Sequence, residues 1–100
     1  MTAKLRPSEA LAKHRDEVLA IIAKYPVSNP RIFGSVARGE DTVDSDVDIL
    51  VEPAGATTFV HLVQLQDDLK ALLGSRVDVL TPGGLRKGVA ARVQQDAVDL

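Results

Sequence analysis

Two carboxylates, Asp46 and Asp48, stand two residues apart at the start of the apolar run VDILV, and Gly34-Ser35 closes the apolar run before them. These residue types suit chemistry on a nucleoside triphosphate. Glycine has no Cβ, so a phosphate can approach its backbone closely. Ser35 offers a hydroxyl and an N–H at the start of an expected helical turn, and helix N-termini bind anions. Side chains alternate across a strand, so Asp46 and Asp48 share one face while Val47, Ile49 and Val51 take the other, toward a core. Two carboxylates on one face can hold a hard divalent cation such as Mg²⁺, which typically bridges one or two carboxylates to substrate phosphates. Each half alone is a weak signal. An Asp-x-Asp on a solvated strand face is ordinary, and an isolated Gly-Ser is most often a plain turn. The Walker A pattern is absent, because no Lys-Ser/Thr follows the glycine.

The segment RVDVL at 76–80 repeats the strand logic. Val77 and Val79 point inward, and Asp78 points the other way with Arg76 and Leu80. If the two strands are neighbours, Asp46, Asp48 and Asp78 converge on one face. Three such acids repel one another unless cations sit between them. Two metal ions about 4 Å apart can activate an attacking oxygen and stabilise a leaving one. The third carboxylate can ligate metal or take a proton as general base. Arg38 is a cation within reach of this region, for a phosphate or for one of the Asp. Glu40, Asp41 and Asp44 read as solvated loop acids.

Several elements must position these groups. Pro7, Ser8 and Glu9 mark a helix start, and Leu11, Val18, Ile22 and Tyr25 continue at helical spacing until Pro26. Residues 30–33 predict a strand, Ser35–Arg38 a helical turn, and 47–51 a second strand closed by Pro53 and Gly55. Thr57 or Thr58 caps a helix through Leu73, with Leu62, Leu65, Leu69 and Leu72 as its buried stripe and Gly74 as its stop. A third strand at 76–80 follows, then a last helix from Thr81-Pro82 carrying Leu85, Val89, Val93 and Ala97. Arg86, Lys87 and Arg92 read as its solvated face, and His61 as a solvated residue of the preceding helix. The order α-β-β-α-β-α implies an α/β (α+β) domain, a small mixed sheet flanked by helices, spanning 1–100 as one unit.

Bulk properties narrow the function classes. The formal charge is −2 and only three residues are aromatic, so neither a basic patch nor a stacking platform for nucleic acid is expected. There is no Cys, which excludes disulfides and thiolate chemistry and fits a reducing cytoplasm. No window approaches the roughly 20 apolar residues of a membrane span, and no apolar run of signal-peptide length opens the chain.

Taken together, GSVARGEDTVDSDVDILV resembles the signature of the polymerase-β-like nucleotidyltransferases: Gly-Ser, a spacer, then Asp-x-Asp. With Ala37-Arg38-Gly39 and Ser45-Asp46-x-Asp48 it is similar to the minimal nucleotidyltransferases, the MNT antitoxins encoded beside HEPN-domain toxins. The resemblance covers nearly the whole chain. It implies the polymerase-β-like fold, Mg²⁺ held by Asp46, Asp48 and Asp78, and ATP contacted by Gly34 and Ser35, with Arg38 and Ser45 in the same set. It further implies attack by a tyrosine hydroxyl of the toxin on the α-phosphate of ATP, with release of pyrophosphate. The short chain leaves no room for a domain that holds a template, so the acceptor surface is expected from a protein partner. Two other functions stay open: an antitoxin that acts by occlusion alone, and transfer of a nucleotide to a small molecule.

Overall fold

The VDILV run organises the molecule. Val47, Ile49 and Val51 are fully buried on one face of their strand. The computed structural model describes residues 4–85 and 87–100. Among them the order is α1 (Pro7–Lys13), α2 (Arg15–Ile22), β1 (Val27–Phe33), α3 (Ser35–Arg38), β2 (Val47–Pro53), α4 (Phe59–Leu73), β3 (Val77–Leu80), α5 (Lys87–Asp96) and β4 (Val98–Asp99), with a 3-10 turn at Pro82–Gly84. The strands form one sheet in the order β3-β2-β1-β4. β1 runs antiparallel to both β2 and β4, while β2 and β3 are parallel. This is the mixed sheet expected from the sequence. Arg86, and the side chains of Lys87 and Val89, lie outside the described residues.

The main core lies on one face. Ala10, Leu11, Val18, Ile22 and Val36 from the first three helices, with Leu65, Leu69 and Leu73 from α4, pack on Ile32, Val47, Ile49, Val51, Val77 and Val79. The opposite face is not simply open, because alternation puts Phe33 and Leu50 there with the acids. Leu50 is only 1% exposed and joins Phe33, Val93 and the flanking Leu80, Leu85 and Ala97 in a second, smaller cluster. α5 therefore covers the far half of the acid-bearing face.

The structure corrects three element boundaries and adds a strand. The first helix is two helices broken at His14 (φ −109°, ψ 21°). The break lets α1 contact α3 while α2 packs on α4, a tertiary demand that periodicity does not register. β1 begins at Val27 rather than 30, because it absorbs a bulge: Ser28 pairs with Glu52 and Arg31 with Leu50, leaving one extra residue on β1. Asn29 sits there at φ 49°, beside Pro30. The last helix starts at Lys87, since Gly83-Gly84 supports only a 3-10 turn. The two-residue strand β4 carries no pattern long enough to read.

Caps explain where α4 begins and ends. Thr58 Oγ1 accepts from the His61 N–H at 3.4 Å, and the Thr58 N–H donates to His61 Nδ1 at 3.1 Å. His61 is thus a capping residue rather than a solvated bystander. Gly74 ends the helix in the left-handed region (φ 69°) and donates its N–H to Lys70 O. Thr58→Ala removes one side of this reciprocal cap. It is expected to destabilise the protein by about 1 kcal/mol, seen in thermal melts as a Tm drop of about 4–8 °C.

Candidate active site

The site begins where β1 ends. Gly34 adopts φ 77°, ψ −155°, a region reserved for glycine, and turns the chain into α3. The turn is held shut by Arg38 N–H to Gly34 O (3.2 Å) and Glu40 N–H to Ser35 O (2.9 Å), and Gly39 ends it at φ 72°. Val36 is buried in the main core beneath it, so the turn cannot slide. Ser35, at the first helical position, presents backbone N–H and hydroxyl together at the start of that turn.

Pairing brings the acids to the same place. Phe33 pairs with Asp48, so Gly34 follows directly beside that carboxylate. A Cβ on Gly34 would lie 2.6 Å from Asp48 Oδ2. On the other side, Asp48 pairs in register with Asp78 of β3. Asp46 immediately precedes β2. Asp48 and Asp78 thus lie side by side on neighbouring strands, with Asp46 two residues before Asp48 and the Gly34-Ser35 turn beside β2. Among the described residues no group of three His, Cys, Asp or Glu closes to metal-ligating geometry.

The electrostatics favour an added cation. The Asp48 carboxyl is raised above its ordinary range, chiefly by burial and then by the charges of Asp78 and Asp46. Arg76 offsets part of this: its Nε lies 3.9 Å from Asp46 Oδ2 and 3.8 Å from Asp78 Oδ1. The Arg76 side chain is 72% exposed, so solvent screens it and it is a weak counter-charge. Hard oxygen donors that repel one another beside a phosphate-sized turn fit Mg²⁺ in chemical type. Beyond Asp78, a polar recess of about 360 Å³ opens between α4 and β3, lined by Gln66, Asp67, Lys70, Arg76 and Val77.

Two expected nucleotide-contacting residues have local partners. Arg38 pairs with Asp96 of α5 at 2.7 Å and with Glu40 at 3.1 Å. Ser45 Oγ accepts from the Thr42 N–H at 2.9 Å and closes the turn that delivers Asp46. Asp41 is a correction: it is not a solvated loop acid but 4% exposed, with Oδ2 accepting from the Ser8 N–H at 2.9 Å. Its surroundings come from α1, far away in sequence, so no local signal marks it. Glu40 and Asp44 are exposed, as expected.

The nucleotidyltransferase domain profile matches residues 11–100. The chain belongs to the nucleotidyltransferase domain family. Within it, the protein adenylyltransferase MntA of Thermococcus cleftensis is 36% identical over 88 residues, a match covering 88% of this chain and 86% of the relative. A solved structure described as a candidate minimal nucleotidyltransferase superposes with a TM-score of 0.82 at 38% identity, covering 93% of this chain and 95% of that one. A complex of a tri-AMPylated Shewanella oneidensis HEPN toxin with an MNT antitoxin gives a TM-score of 0.67 at 17% identity, covering 88% of this chain and 69% of that chain, a likeness of fold. The resemblance read from the Gly-Ser and Asp-x-Asp motifs, and the fold it implied, are therefore correct. No helix among the described residues of this nucleotidyltransferase is long and apolar enough to cross a membrane.

Proposed function

We propose that this nucleotidyltransferase transfers AMP from ATP to a tyrosine hydroxyl of a cognate HEPN toxin in the cytoplasm and thereby neutralises it. What carries the proposal is the register that sets Asp78 opposite Asp48, with Asp46 beside them and the Gly34 turn in contact. The adenylyltransferase name of the Thermococcus relative, and the AMPylated toxin bound to the Shewanella antitoxin, support this direction.

The roles follow from position. The Gly34 backbone and the Ser35 N–H and hydroxyl receive the triphosphate. Arg38 borders this turn with its charge taken up by Asp96 and Glu40, and it reaches a phosphate by exchanging one of these carboxylates for it. Ser45 shapes the loop that aims Asp46. Asp46, Asp48 and Asp78 are the residues that would hold Mg²⁺, two ions in the full site. When bound, Mg²⁺ neutralises phosphate charge and lowers the pKa of the attacking hydroxyl. The acceptor oxygen forms a bond to the α-phosphorus, the bond from that phosphorus to the bridging oxygen breaks, and pyrophosphate leaves. The hydroxyl proton passes to Asp78 as general base, because Asp78 lies farthest from the phosphate turn.

The chain co-expressed with its neighbouring toxin and supplied with ATP and Mg²⁺ is expected to add the mass of one or more AMP units to a toxin tyrosine. Intact-protein and peptide mass spectrometry read the result. An unmodified toxin, bound but carrying no added mass, would establish neutralisation by occlusion instead.

A further inference from the structure

We infer that Asp41 is a positioning residue for nucleotide binding, acting through the start of α1. The inference rests on the nucleotide-binding role proposed above.

Asp41 follows the Gly34–Glu40 turn and opens the loop that ends at Asp46. Its side chain is nearly inaccessible, with 4% of the residue exposed. Burying a carboxylate is unfavourable unless something receives its charge. Oδ2 accepts from the Ser8 N–H at 2.9 Å, an N–H in the first turn of α1 that has no intrahelical partner. Among the described residues Oδ1 has no hydrogen-bond partner. Burial works against the ionised form, but the Ser8 hydrogen bonds and the charge of Arg6 prevail, and the carboxyl sits below its ordinary range. Asp41 is therefore held as a buried anion in a local contact unrelated to the three acids of the sheet.

The same helix holds the other end of this segment. Ala10 and Leu11 of α1 share the main core with Val36 of α3, directly under the phosphate turn. α1 thus grips the 34–41 segment twice, through an apolar contact below the turn and through Asp41 at its exit. Between the two grips the segment has its own turn hydrogen bonds and the half-exposed pair of Arg38 with Asp96 of α5. The Asp41–Ser8 bond therefore sets how the loop leaves the turn, and with it the distance from Ser35 to Asp46. A shift of about 1 Å in such an arrangement can lower a rate a hundredfold.

The test is binding of a non-hydrolysable ATP analogue with Mg²⁺, measured by calorimetry on the full chain, alongside thermal melts. The wild type must bind; if it does not, the nucleotide reading fails and Asp41 is not in question. Given wild-type binding, Asp41→Ala is expected to weaken the analogue about tenfold or more. Asp41→Asn, whose amide oxygen can still accept from Ser8, is expected to stay within about threefold of wild type. If Asp41→Ala melts earlier but binds the analogue as tightly as wild type, Asp41 is only a structural staple and the inference is wrong. If Asp41→Ala fails to fold, Asp41→Leu, of similar size and without an acceptor for Ser8, decides: a tenfold loss of affinity in the folded variant upholds the inference, and wild-type affinity overturns it.

Discussion

With Asp46 and Asp48 both replaced by Asn, the proposed AMP transfer is expected to fall by at least about 10³-fold, because the carboxylates that would hold Mg²⁺, and with them several kcal/mol of charge stabilisation at the phosphates, are gone. The protein does not become less stable. Asp48 has its carboxyl raised in the folded state by burial and by Asp78 and Asp46. An acid whose folded-state pKa is raised binds its proton more tightly in the fold than in the unfolded chain. Its charged form therefore costs stability above the folded-state pKa, and the cost disappears as pH falls through it. Asn removes that charge at every pH. The Tm of the double variant at pH 7 is accordingly expected not to fall, and its melting should vary less between pH 4 and pH 7 than the wild type. A toxin-protection assay at matched expression separates the two antitoxin mechanisms. Protection by the double variant equal to wild type would show that binding suffices and that transfer is dispensable.

Gly34→Ala is expected to damage both stability and activity. Its backbone at φ 77°, ψ −155° is available almost only to glycine, and forcing a side chain there costs about 1–3 kcal/mol. For a domain of this size each kcal/mol lowers Tm by about 4–8 °C. The methyl group would also lie 2.6 Å from Asp48 Oδ2, an impossible separation. Either the turn or the carboxylate must move, and a displacement of about 1 Å at reacting groups lowers rates on the order of 10²-fold. Thermal melting and AMP transfer on the same preparation test both parts. A variant that melts early but transfers AMP at the wild-type rate would refute the idea that the close approach of turn and carboxylate matters to the reaction.

The facing of the candidate acids was more legible in the chain than the scaffold that supports them. Asp46, Asp48 and Asp78 could be put on one face because a strand has a period of two and the Val and Ile residues between them had to go inward. Ser35–Arg38 could be read as a turn because glycines bracket it, and both have positive φ. The stripe of α4 held at Leu65 and Leu69, which are fully buried, while Leu62 and Leu72 pack against the core only partly buried and Leu73 is buried in their place. These signals are local, so neighbouring residues suffice to reveal them. The misread elements answer to distant partners. His14 breaks a helix so that α1 can reach α3. Asp41 looks like a loop acid until the first turn of α1 is brought against it. Leu50 shares a strand face with the acids, yet it is buried because α5 closes over that end.

From its residues alone the chain determined which acids are candidates for the site and their shared facing, since alternation and glycine's missing Cβ are properties of the local backbone. Only the tertiary structure decided that β2 and β3 are parallel neighbours with Asp48 and Asp78 in register, that Gly34 lies against Asp48, and that α1 holds the Gly34–Glu40 turn from below at Val36 and at its exit through Asp41. Those depend on how hydrophobic faces far apart in sequence bury one another, and burial is a property of the whole fold that no short stretch of residues specifies.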